Sequence, residues 1–147
     1  MCVLDLLNKL GVNTIQAWED AYLPTSLLPA LRASGIQVQH TPDPSIRAGL
    51  TGALAGIAGS GSLALTGGAG RPLTASLMPE IHIAVLRQDD IYEELGEVLR
   101  LPQIRQATST VIITGPSRTA DIEMTLTIGV HGPGEIHVFL IDDSGRQ

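Results

Sequence analysis

Apolar and polar positions along this chain follow two periods, and the switches between them predict its elements. Val3 to Leu10 reads as a short amphipathic helix stopped by Gly11. Thr14 to Trp18 reads as a strand, and Ser26 to Ser34 as a helix carrying Leu27, Leu28 and Leu31 and closed by Gly35. Ile36 to His40 is the next strand, so strand, helix and strand together make a βαβ unit. Between Arg47 and Arg71 the pattern gives way to an uncharged, glycine-heavy run. Its length permits a membrane span, but small and polar residues dominate it. It is parsed instead as a strand or turn at Leu50-Thr51, a small-residue helix over Ala53–Ala58, a turn at Gly59–Gly61 and a strand from Ser62 to Thr66. Ser76 to Glu80 is a turn and Ile81 to Leu86 a strand. Asp89 to Leu101 then reads as one helix, with Ile91, Leu95, Val98 and Leu99 toward the core and Glu93, Glu94 and Glu97 toward solvent.

The C-terminal pattern is the most informative. Val111 to Thr114 is β-branched or threonine throughout, as a buried strand prefers. Gly115-Pro116 breaks it, Thr119 is a good N-cap, and Asp121 and Glu123 fall in the first turn of a helix. Ile122, Leu126 and Val130 make its apolar face, His131-Gly132-Pro133 stops it, and Ile136 to Phe139 is a strand. Strand, tight turn, helix and strand predict one half-turn of a parallel α/β sheet. The fold expected is therefore a single three-layer α/β domain, residues 1–147, with a mostly parallel sheet.

Composition narrows the function classes. The chain has 147 residues, 44% hydrophobic and only 16% charged, against about 25% charged in average soluble chains. That leaves apolar surface for a partner, and a homo-oligomer is expected. A net charge of −6 and a single lysine, Lys9, argue against nucleic acid. One cysteine, Cys2, excludes a disulfide framework, a thiolate zinc site and a self-contained iron–sulfur cluster. The N-terminus shows no signal-peptide pattern, so the cytoplasm is the expected location.

In open parallel sheets ligands bind beyond the carboxyl ends of the strands, where main-chain N–H groups and helix N-termini converge. The turn Gly115-Pro116-Ser117-Arg118-Thr119 is the candidate, with Arg118 as a planar cation for a carboxylate or phosphate. Arg118 pairing only with Asp121 or Glu123 is the alternative. Gly61 and Ser62, from the Gly59–Ser62 turn, are candidates to contribute from a neighbouring strand. Catalytic candidates are Glu80 and His82, two apart at a strand start, with Asp121, Glu123 and His131. A helix C-terminal histidine is also a common dipole partner. His137, mid-strand, reads as structural, and no histidine spacing supports a metal site. P-loop, Rossmann and Gly-x-Ser-x-Gly motifs are all absent.

Gly115 to Glu123 and Gly129-Val130-His131-Gly132-Pro133 resemble the signature of the LUD (lactate utilisation) domain family, of the lactate utilisation protein C type. Leu50-Thr51-Gly52-Ala53, Ile57 to Gly61 and Leu77-Met78-Pro79-Glu80-Ile81-His82-Ile83 are similar to further family segments. The resemblance runs from about Thr14 to Asp142. It implies the fold of ribose-phosphate isomerases, glucosamine-phosphate deaminases and CoA transferases. It further implies an accessory, ligand-binding subunit in oxidation of L-lactate to pyruvate, with iron–sulfur clusters in partner proteins and no cofactor on this chain. A stand-alone enzyme acting on a sugar phosphate or acyl-CoA, or a non-catalytic interaction domain, are the alternatives. Two departures stand out: Gly59 occupies a position where the family usually has an acidic residue, and the family's N-terminal helical extension is expected to be absent or reduced.

Overall fold

Short-range signals dominate the first forty residues, and there the chain folds as its pattern predicts. The computed structural model describes residues 2–114 and 133–141. Helix α1 (Val3–Leu10) ends at Gly11 and buries Val3, Leu6 and Leu7. Strand β1 (Thr14–Ala17), helix α2 (Leu27–Ala33) and strand β2 (Gln37–Gln39) make the expected βαβ unit, with β1 and β2 parallel. Strand β3 (Ala48–Gly52) pairs parallel with β1 on its other side. Strands β6 (Ile81–Arg87) and β9 (Glu135–Ile141) extend the sheet, giving five parallel strands in the order β2-β1-β3-β6-β9. The domain is thus α/β with a mostly parallel central sheet, as the sequence predicts.

The main core lies around this sheet. Ile15, Leu50 and Ile83 are fully buried and pack with Leu7, Leu28 and Leu31 of the two helices. On the sheet's other face Gln16, Gly49 and His82 sit side by side in register across β1, β3 and β6. Helix α3 (Thr74–Leu77) presses onto that row. A Cβ on Gly49 would stand 1.8 Å from the Ala75 carbonyl oxygen, so only the absence of a side chain lets the helix approach.

The glycine-heavy run departs from expectation at one point. No helix forms over Ala53–Ala58; Ala55–Ile57 is instead strand β4, antiparallel to β5 (Ser62–Gly67). Pairing overrides the helix preference of the alanines because each residue has a place across the strand. Ala55 and Ile57 turn toward Val98, while Gly56 admits Leu86, whose Cδ2 lies 2.7 Å from where a Cβ would be.

The single helix expected over Asp89–Leu101 is also corrected. A 3-10 turn at Gln88–Asp90 leads into strand β7 (Ile91–Tyr92), parallel to β4, and only then into α4 (Leu95–Leu99), followed by α5 (Pro102–Gln106). The Glu97 carboxylate accepts from the backbone N–H groups of Glu93 (3.1 Å) and Glu94 (3.0 Å) and so starts the helix late. Of the four residues assigned to the core face only Val98 is buried; Ile91, Leu95 and Leu99 stay exposed.

The third correction concerns β8 (Ser109–Ile113). It does not join the parallel sheet with β9. It runs antiparallel to β5, matching Leu63 with Ile113 and Leu65 with Val111, and closes a second sheet in the order β7-β4-β5-β8. The predicted half-turn of parallel sheet therefore spans two sheets, because the apolar faces of β5 and β8 complement one another. Among the described residues no helix is long and apolar enough to cross a membrane.

Candidate functional site

From β1 the chain moves outward to β2, then returns to place β3 on the other side of β1. Such a reversal leaves a crevice between the carboxyl ends of the two inner strands. A cleft of about 440 Å³ lies there. Trp18, just past β1, Gly52 at the end of β3 and Ala53 and Leu54 beyond it form one part of it, with Val85 and Arg87 of β6 and Ile141 of β9. Tyr22, Leu23 and Pro24 line it from the segment after β1, and Thr66 and Arg71 from the end of β5.

Arg71 is held in place from several directions. After β5 the chain doubles back through Gly68 and Arg71, whose backbones bond to each other. The turn needs Gly70, which takes φ +78° and has Glu19 Oε1 and Tyr22 Cε2 each 2.9 Å from where a Cβ would be. The Gly70 carbonyl accepts from the Glu19 backbone N–H (2.9 Å), and the Pro72 carbonyl from Trp18 Nε1 (3.0 Å). The hairpin is thereby tied to the end of β1 on both sides of Arg71. Arg71 Nη1 donates to Thr66 Oγ1 at 2.9 Å, and its guanidinium carbon sits 4.9 Å from the Tyr22 ring centroid. Among the described residues, Nε is buried with no acceptor and no carboxylate pairs with this cation. The result is a pre-positioned positive charge that neutral oxygens and a ring only partly satisfy.

The residues predicted from sequence fall elsewhere. His82 is fully buried beneath α3, with Nε2 2.8 Å from Thr51 Oγ1 and Nδ1 without a partner. Burial pushes its pKa down to about 4, so the ring is neutral at physiological pH. Glu80 lies outside the strand and exposed, 3.4 Å from Arg47 Nε, and its backbone carbonyl accepts from the N–H groups of Gly134 and Glu135. The structure therefore separates Glu80 from His82. His137 pairs with Glu135 on its own strand, in line with a structural role. Gly115, Pro116, Ser117, Arg118 and Thr119, with Asp121, Glu123 and His131, lie outside the described residues.

Gly61 and Ser62 sit in and beside the β4–β5 turn. Ser62 Oγ is 2.7 Å from Ser60 Oγ and 2.8 Å from Thr114 Oγ1, so this turn meets the residue that immediately precedes Gly115. Gly59 has a local reason to lack a side chain: its N–H donates to the Glu93 carbonyl (2.9 Å), and a Cβ would lie 2.7 Å from that oxygen. Among the described residues no group of three or more His, Cys, Asp or Glu is arranged to hold a metal.

Sequence reasoning missed Arg71, Tyr22 and Trp18. In the sequence Arg71 marks only the boundary of an uncharged run, Trp18 only the end of a strand, and Tyr22 carries no motif. The available signal was Gly67-Gly68-Ala69-Gly70-Arg71, a glycine turn that delivers a cation to a strand end.

The sequence model of the LUD domain matches residues 43–141. An uncharacterized protein of Neisseria meningitidis serogroup B is 36% identical over 100 residues, covering 66% of this chain and 43% of that protein. Lactate utilization protein C of Halalkalibacterium halodurans is 33% identical, covering 65% of this chain and 44% of its own length. Its counterpart in Exiguobacterium is 34% identical over 121 residues, covering 73% and 50%. The chain thus spans about half the length of these curated relatives. The crystal structure of a DUF162 family protein from Deinococcus radiodurans superposes with a TM-score of 0.57 over 92% of both chains at 20% identity, and so shares the fold. On the extent of these matches, the chain belongs to the LUD domain family.

Proposed function

We propose that this chain is a ligand-binding subunit in lactate utilisation, holding a small carboxylate at the Arg71 cleft. Electron transfer during conversion of L-lactate to pyruvate then falls to iron–sulfur partner proteins. The observation that carries this reading is a fixed, incompletely neutralised guanidinium at the carboxyl-end crevice of a parallel sheet. Support comes from relatives named for lactate utilization and from a chain with a single exposed cysteine, which cannot ligate a cluster by itself. Exposed Leu95, Leu99 and Leu140 fit an oligomer or partner surface.

Isothermal titration of wild type and Arg71→Ala with L-lactate and pyruvate tests the reading. Binding by wild type and a loss of at least roughly tenfold in the variant is the expected result, since a charge-assisted contact is worth that much or more. No carboxylate binding by wild type, or binding indifferent to the substitution, would overturn it.

A further inference from the structure

The size and lining of the cleft say more about its ligand than Arg71 alone does. At about 440 Å³ it falls in the range that takes drug-sized molecules, and an acid as small as lactate would leave most of it to solvent. Its cations are Arg71 and Arg87, and no carboxylate lines it among the described residues. Beside Thr25, Thr66 and the two arginines, the wall carries the apolar side chains of Leu23, Pro24, Ala53, Leu54, Val85 and Ile141. These come from four separate parts of the fold, the ends of β6 and β9 and the segments following β1 and β3. A cationic anchor beside these apolar side chains matches an anion with an apolar tail, not a polyol phosphate covered in hydroxyls.

We infer that the cleft selects monocarboxylates bearing an apolar side chain longer than the methyl group of lactate. Arg71 takes the carboxylate, and the chain lies along Leu54, Val85 and Ile141. This rests on the reading of the cleft as a carboxylate site and specifies which carboxylates it prefers. Each methylene that reaches the wall should tighten binding by about fourfold, the usual gain for burying one such group. The gain should stop once the tail outgrows the cleft.

The experiment is a titration series with L-lactate, 2-hydroxybutyrate, 2-hydroxyhexanoate and 2-hydroxyoctanoate, with inorganic phosphate and ribose 5-phosphate as competitors. Wild type, Leu54→Ala and Ile141→Ala are compared; the two wall positions are only partly buried, and circular dichroism verifies each fold. The expected result is affinity that climbs with chain length in wild type and climbs less in at least one wall variant. Equal affinity across the series overturns this inference while leaving the carboxylate site standing. Absence of binding by every acid overturns both. Displacement of the long acids by ribose 5-phosphate at lower concentration than by lactate overturns the preference for an apolar tail.

Discussion

Polar side chains gather in two places along strands β1, β3 and β6, and the two places behave as opposites. Beneath α3, Gln16, Thr51 and His82 are sealed from water, with Gln16 Nε2 donating to Thr74 Oγ1 and His82 meeting Thr51. At the carboxyl ends of the same strands, Arg71 and Tyr22 face an open cleft. Among the described residues, both places leave polar atoms without a partner: Gln16 Oε1 and His82 Nδ1 in the first, Arg71 Nε in the second. An unpartnered neutral atom in a closed row is a modest cost of packing. An unpartnered charge at a crevice leaves room for a ligand to supply the missing partner. Access and charge, not polarity, distinguish a site from a structural network.

The closed row should be the more sensitive to steric change. Gly49→Ala puts a methyl group onto the Ala75 carbonyl and should cost about 3 kcal/mol or more, because backbone has to move to admit it. Urea denaturation measures this, and a loss below about 1 kcal/mol would show that α3 is not seated as described. The row should also respond to acid. His82 is neutral in the native state down to a pKa of about 4, whereas the unfolded chain takes up the proton near the ordinary 6.5. Stability from this group is therefore complete above pH 6.5 and declines as pH falls toward 4, by roughly 3 kcal/mol in total. Denaturation at pH 7.0 and 4.5, with His82→Gln as reference, isolates the effect; equal acid slopes in the two proteins would refute it.

The open cleft should show the reverse balance. Arg71→Ala should abolish most carboxylate binding yet destabilise the fold by only about 1 kcal/mol, the worth of one hydrogen bond and a half-exposed ring contact. A large drop in Tm together with intact binding would place Arg71 in the structural class. Arg32→Ala is the smallest perturbation. The Arg32 hydrogen bond holds the Asp20 carboxyl below its ordinary pKa, but the pair is exposed, and Tm should stay within error.

How much of this was legible depended on the range of the interactions. Helices α1 and α2 and strand β6 are set by spacing and stop residues within each segment, and the sequence predicts them well. Strands β4 and β7 exist because they pair with each other and with β5, and no local pattern announces a partner. Strand β8 is legible as a strand, but its sheet is not, since Val111 and Ile113 fit any apolar neighbour. The carboxyl-end rule points to the rim where the cleft lies. Arg71 was hidden because its significance depends on Tyr22, Thr66 and the end of β1, which only the fold brings together.

The bond from the Glu19 amide to the Gly70 carbonyl belongs entirely to the main chain. Alanine scanning is blind to it: every side chain around Arg71 can be replaced while that tether continues to set the arginine's stance. Only chemistry on the polymer itself, such as an ester linkage in place of the amide at position 19, would reach it. The side chains lining the cleft can then change while the aim of Arg71 stays constant.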